Sequence, residues 1–242
     1  EAVNTKAPTI NMQTNNINHF EESSSQNTYL PSELDFKNMV NFENATRFHE
    51  KDIYFTNNNA SGRLYNSFTG IKRDYRQFIH EKGTDDVLDH LDLSNSQPFL
   101  LNYYLMQHYG VTPPKDVLDY INLTSTGQLY EYIQDEVKPS NLKSDDLKKS
   151  IMKDLFFKAT HYSTELEKAF QMHFPSVYYL IQSMKQKDYR LFSIELQRLE
   201  SKLFVHLIGD NLRKDNIYFL TVHDSVYFHS NDETIVRNAI LS

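Results

Sequence analysis

The stretch that most constrains the fold of this chain lies near its end, Ile217-Tyr218-Phe219-Leu220-Thr221-Val222-His223-Asp224-Ser225-Val226-Tyr227-Phe228. Two short runs of β-branched and aromatic residues flank a His-Asp-Ser tip, so the stretch predicts a β-hairpin. A carboxylate at such a tip is held by a rigid backbone and points outward, which suits metal binding. The tripeptide alone is common, and its meaning depends on what precedes it.

The chain has 242 residues, enough for one large or two small domains with a sizeable core. Hydrophobic residues make up 39% and charged residues 24%, which argues against wholesale disorder. A net charge of −7 speaks against a protein that coats a polyanion, although a locally basic cleft remains compatible with it. The absence of cysteine excludes disulfides, thiolate metal sites and a cysteine nucleophile. No run approaches the roughly 18 apolar residues of a membrane span. No signal peptide is visible, and the chain begins at Glu1 rather than Met. The expectation is a soluble cytoplasmic protein with no membrane partner.

Residues 1–60 are polar and poorly periodic, with loop-like Asn and Ser clusters and one short element around Leu34–Phe42. Beyond Ser61 the pattern sharpens. Leu88–Leu93 reads as a strand, and Gln97–Gly110 as a helix with Pro98 in its first turn. Pro114–Leu123 and Gly127–Val137 read as short helices, and Ser144 opens a helix to about Thr160. Phe174–Gln186 and Arg190–Arg213 follow as helices, then the hairpin, then a final helix capped by Asn231-Asp232. The fold class is therefore α+β, with few, mostly antiparallel strands covered by many helices.

Three places carry candidate chemistry. Asp92 sits at a strand end, in His90-Leu91-Asp92-Leu93-Ser94-Asn95-Ser96-Gln97-Pro98, ahead of a tight turn into a helix. With Asp224 it would supply the one or two carboxylates that Mg²⁺ uses beside substrate phosphates. Taken singly, each aspartate reads as a turn former, and only the pair points to a metal. Lys149, Lys153, Phe157 and His161 recur every four residues, and so form one stripe on a regular helix. Such a stripe either holds a triphosphate and stacks on a base, or is a solvated basic face with an aromatic reaching the core. Catalytic nucleophile motifs and a glycine-rich phosphate loop are absent from the sequence, and the remaining histidines lack metal-ligand spacing.

Together these segments resemble the palm and fingers of family A DNA polymerases and of the phage-type single-subunit RNA polymerases. Asp92 falls on the motif A aspartate, and His223-Asp224 on the motif C His-Asp. Ser225 matches the RNA polymerase version of motif C. Lys149-x3-Lys153-x3-Phe157-x3-His161 is similar to the motif B pattern Arg-x3-Lys-x3-Phe-x3-Tyr-Gly. Its Tyr-Gly end becomes His161-Tyr162 or Tyr162-Ser163, and Lys148 or Lys149 is an alternative to Lys153 for the phosphates. Ser61-Gly62-Arg63-Leu64 resembles a Thr-Gly-Arg-Leu segment that touches the template-primer duplex, with Lys72, Arg73 and Arg76 behind it for backbone phosphates. Ser193-x3-Gln197 resembles an Asn-x3-Gln pair that reads the minor groove. Gln97 occupies the place of a glutamate that excludes the ribose 2′-hydroxyl, and leaves the sugar preference open. More loosely, the chain resembles plasmid and phage proteins with Asp-x-x-Asn-Ser-Gln-Pro and a later His-Asp-Ser.

The resemblance implies a small antiparallel palm sheet with a helical, fingers-like insertion between motifs A and C. Its expected layout is an irregular segment over 1–60 and a first palm part over 61–110. A helical region would follow over 111–189, and a second palm part over 190–242. It implies a template-directed nucleotidyltransferase acting on nucleoside triphosphates and a nucleic acid template or primer. Two Mg²⁺ would be held by Asp92, Asp224 and the Leu93 carbonyl, with Lys153 as the catalytic cation. Lys149, Phe157, His161, Gln97 and His223 would contact the nucleotide, and Arg63, Arg76 and Gln197 the nucleic acid. The alternatives are a degenerate palm that binds nucleic acid in replication or phage defence, and a helical interaction protein.

Overall fold

The structure, a computed structural model, describes residues 10–11, 33–81, 87–137, 144–159 and 163–241. It is α+β: helices dominate, and short antiparallel strand pairs supply the rest. The chain divides into two compact units, one of Glu1–Asn58, Leu64–Leu91 and Phe204–Ser242, the other of Asn59–Arg63 and Asp92–Leu203.

The first unit opens with β1 (Ile10–Asn11) and the helix α1 (Glu33–His49). The sequence predicts only a short element there, because α1 has no clear apolar stripe; Met39 and Phe42 stay exposed. Next come β2 (Phe55–Asn57) and β3 (Leu64–Asn66), which pair antiparallel with Thr56 opposite Tyr65. Asn66 closes the turn after β3, its Oδ1 accepting from the Thr69 backbone N–H at 2.9 Å. The short α2 (Arg73–Arg76) leads to β4 (His80–Glu81), the antiparallel partner of β1, and to β5 (Leu88–Asp92).

The second unit is helical. It holds α3 (Ser96–Tyr109), α4 (Lys115–Ser125) and α5 (Leu129–Tyr132), which continues as a π-helical turn over Ile133–Val137. After these come α6 (Ser144–Ile151), a π-helical stretch over Met152–Phe157, α7 (Glu165–His173), α8 (Pro175–Lys185) and α9 (Tyr189–Ser201). The predicted boundaries hold closely for α3, which ends at Gly110 in the left-handed region (φ +65°) that glycine adopts without strain. They hold for α8, which starts on Pro175. Helix α7 is the one missed, although Thr164 and Glu167 form a complete capping box at its start. The helix expected to reach about Thr160 stops at Phe157, where Lys158 turns extended. Leu101, Leu105, Tyr120, Ile151, Phe170, Phe174, Ile181, Phe192 and Leu196 build this unit's core.

Helix α9 runs on through a π-helical segment, Lys202–Ile208, into α10 (Gly209–Lys214) of the first unit. The predicted hairpin follows as β6 (Phe219–Val222) and β7 (Ser225–His229), then α11 (Glu233–Leu241). Phe219 faces Phe228 and Val222 faces Ser225, which leaves His223-Asp224 as a two-residue turn. Strand β7 lies between β5 and β6. Val226, Tyr227 and Phe228 are consecutive and all buried, because both faces of this central strand are covered. Phe48, Phe68, Ile71, Ile79, Leu88, Val222 and Tyr227 form the core of this unit.

Candidate functional site

The hairpin turn is tight, and His223 takes the positive φ (+55°) that two-residue turns demand and that His tolerates better than bulkier residues. Its ring packs edge-on against Tyr65 at 5.5 Å. Asp224, the second turn residue, is half-buried. Asp92 is the last residue of β5 and is exposed, Leu93 after it is half-buried, and α3 begins three residues later. Both aspartates thus offer hard oxygen donors that solvent reaches, a donor chemistry that fits Mg²⁺. Among the described residues no three His, Asp or Glu side chains gather into a metal-binding group.

In the second unit the residues after Asp92 meet a group that sequence reasoning overlooked. Asn95 adopts the left-handed conformation (φ 54°, ψ 38°) and turns the chain into α3, placing Ser96 and Gln97 in its buried first turn. There they meet Glu200 of α9. The Glu200 carboxylate accepts from Gln97 Nε2 at 2.8 Å and from Ser96 Oγ at 3.5 Å. It also accepts from Arg63 through Nε at 2.8 Å and Nη2 at 2.9 Å, a fork that matches the planar guanidinium. Next to it, the Ser201 hydroxyl donates to the Gly62 carbonyl. Gly62 has φ +69°, and a Cβ there would lie 3.5 Å from Ser201 Oγ. The signal for Glu200 was present in the sequence: Phe192, Leu196 and Glu200 recur every four residues, so the carboxylate continues a buried stripe.

Arg63 and Gln97 are therefore brought together, by way of Glu200. The other predicted residues are distributed differently. Lys149, Lys153 and Phe157 are all exposed, but the stretch Met152–Phe157 is π-helical, so the four-residue spacing of a regular α-helix does not carry through it. His161 lies outside the described residues. Gln197 is half-buried on α9.

Arg76 is engaged inside the first unit. Its Nε donates to the Ile71 carbonyl at 2.9 Å, Nη1 to the Tyr227 hydroxyl at 2.9 Å and Nη2 to the Thr69 carbonyl at 3.3 Å. The guanidinium also lies 5.4 Å from the centres of both the Phe68 and the Tyr227 rings. Tyr227 stacks on His90 at 5.2 Å, and Arg73 Nη2 lies 3.0 Å from His90 Nε2. Arginine can only donate, so that ring nitrogen carries no proton. Lys72 pairs with Asp74 at 2.6 Å.

Where the π-helical stretch Met152–Phe157 ends, a second buried polar network begins. Lys185 donates to the Leu155 carbonyl and, at 3.2 Å, to the Lys158 carbonyl, so a cation sits at the carbonyl end of the helix. Burial pushes its amine down to about 8. Glu167 bridges Lys158 at 3.1 Å and the Tyr178 hydroxyl at 3.0 Å. Burial, followed by the hydrogen bond to Glu167, pushes the Tyr178 phenol up to about 12.

No family model, curated protein or solved structure matches this chain. Among the described residues no helix is long and apolar enough to cross a membrane.

Proposed function

We propose that the protein is a template-directed nucleotidyltransferase, a DNA or RNA polymerase of the family A-like superfamily. The observation that carries this reading is the hairpin, with Asp224 in the two-residue turn between β6 and β7. Two further placements support it: Asp92 closes a strand that leads directly into a helix, and Lys149, Lys153 and Phe157 are exposed on the helix between the two motifs. In the reaction a sugar hydroxyl attacks the α-phosphorus of a nucleoside triphosphate, forming one P–O bond while the bond to pyrophosphate breaks. Two Mg²⁺ held by Asp92, Asp224 and the Leu93 carbonyl would activate the attacking oxygen and stabilise the leaving one. Lys153, and Lys149 as an alternative, neutralises the triphosphate and the charge that develops on it. Phe157, His161 and His223 position the nucleotide, and Lys72, Arg73 and Gln197 contact the nucleic acid, whereas the Arg76 guanidinium is taken up by the Ile71 and Thr69 carbonyls and the Tyr227 hydroxyl.

A second reading is a palm that binds nucleic acid in replication or phage defence without polymerising. It is favoured by the commitment of Arg63 and Gln97 to Glu200, since both belong to segments the resemblance assigns to substrate. Primer extension with Mg²⁺ separates the two. Incorporation by the wild-type chain that is lost in Asp224→Asn supports the transferase. Equal incorporation by both removes Asp224 from the metal site. Binding of DNA or RNA with no incorporation selects the second reading.

A further inference from the structure

A groove of about 300 Å³ lies in the first unit, and none of the residues assigned above to metal, nucleotide or nucleic acid lines it. One wall is the run of residues 217–221, and the other is Phe55, Leu64 and Asn66 of the β2–β3 pair. The residues of that run are consecutive. A strand shows only alternate side chains to one face, so a groove touched by every residue in turn follows the edge of β6. That edge is unpaired: among the described residues β6 has β7 as its one neighbour. Val222 and Ser225 flank the two-residue turn as a hydrogen-bonded pair, and the pattern alternates, so Leu220 is the next residue bonded to β7, opposite Tyr227. The backbone N–H and C=O groups of Phe219 and Thr221 therefore point outward, along the groove.

The walls are largely apolar and already in place. A Cβ on Gly209 would lie 3.3 Å from the Phe219 ring, and the Arg213 guanidinium lies 5.7 Å from the ring centre, so α10 fixes that ring. Phe55, on the other wall, is 67% exposed. Arg213 is the one charged residue among those lining the groove. Asp210 occupies its Nη1, which leaves the rest of the guanidinium fork for a second carboxylate.

An unpaired strand edge is matched by another extended backbone, whose alternate side chains then enter the apolar walls. A lone strand suits this edge. A second copy's whole sheet would bring its next strand against Phe55 and Leu64. We propose that the groove docks an extended peptide segment of a partner protein. The segment adds a fourth strand to the β5–β7–β6 sheet through Phe219 and Thr221 and places a carboxylate on Arg213. This docking site and the transferase reading stand or fall separately.

Panning a phage-displayed library of random heptapeptides against the immobilised full chain tests the proposal, followed by fluorescence-polarisation titration of the selected peptide. Enriched sequences alternate apolar and polar residues and carry Asp or Glu. Methylating the peptide amides that face β6 weakens binding about tenfold, and methylating the amides between them leaves it unchanged. Phe55→Ser abolishes binding without moving the melting temperature, because the side chain is exposed. Arg213→Gln erases the preference for the acidic peptide over its amide counterpart. Failure of the library to enrich any sequence, or methylation that acts equally at every amide, overturns the proposal. Binding that survives Phe55→Ser also overturns it. Self-association that Phe55→Ser abolishes, with no peptide selected, assigns the groove to a second copy and overturns it as well.

Discussion

The Glu200 carboxylate receives the Gln97 amide at 2.8 Å across 103 residues of sequence, and it receives the Arg63 fork from a third segment at 2.8 and 2.9 Å. Three segments of the second unit are therefore tied through one buried charge. Removing that charge leaves a guanidinium with only a fifth of its side-chain surface exposed and no carboxylate opposite it. Glu200→Ala is expected to destabilise the protein by about 3 kcal/mol, near the lower end for a broken buried pair. Arg63→Met combined with Glu200→Met is expected to cost clearly less than the sum of the single changes. Urea unfolding of the four proteins measures both numbers.

Asp224 sits half-buried in the two-residue turn of the hairpin rather than in the core. Asp224→Asn is expected to lower nucleotide incorporation by at least about 100-fold with unfolding free energy changed by under about 1 kcal/mol. Chelation of divalent cations by EDTA should abolish incorporation by the wild-type chain, and added Mg²⁺ should restore it. Primer extension beside thermal melting reads both.

Lys185 gives a pH dependence whose sign can be worked out. Burial lowers its amine from 10.5 to about 8, so between those values the unfolded chain binds more protons than the folded one. Stability contributed by this residue therefore rises with pH across that window, by at most about 1.4 kcal/mol per pH unit. Below pH 8 both states are protonated and the burial penalty is constant. Above about pH 10 half-buried tyrosines oppose the trend, because Tyr104, Tyr130 and Tyr178, each pushed up to about 12, keep protons that the unfolded chain loses. Urea unfolding at pH 8, 9 and 10 should show a smaller rise for Lys185→Met than for wild type.

Arg76 uses three of its five N–H groups inside the first unit and covers two aromatic rings. Arg76→Met is expected to destabilise the protein by about 1–3 kcal/mol, mainly through the Ile71 and Thr69 carbonyls and the Tyr227 hydroxyl left without their donor. Thermal melting checks this. By contrast Lys153→Met, at an exposed position, should leave melting unchanged and weaken triphosphate binding.

Much of the secondary structure is legible in the sequence because its signals are local. Gly110 ends α3, Pro175 starts α8, and the β-branched and aromatic runs around His223-Asp224 pair as a hairpin with Phe219 opposite Phe228. The π-helical stretch over Met152–Phe157 is not legible, because a wider turn inside a helix leaves no residue signature of its own. What is present there is a buried lysine from α8, whose bonds to the Leu155 and Lys158 carbonyls mark the place where the helix ends. Helix α1 is longer than its sequence suggests, since hydrophobic periodicity is weak where side chains such as Met39 and Phe42 stay exposed.

The sequence by itself determined the α+β class, the hairpin with its His-Asp turn, and the strand-to-helix turn that holds Asp92. Each of these depends on residues within a few positions of one another, where backbone preference and alternation of apolar residues suffice. Only the tertiary structure decided the fate of Arg63, Gln97 and Arg76, whose side chains reach partners 137, 103 and 151 residues away. Those choices turn on which buried charge or ring lies within hydrogen-bonding or stacking distance once helices pack. Burial makes a nearby partner compulsory for a charged group, and packing alone selects which partner it is.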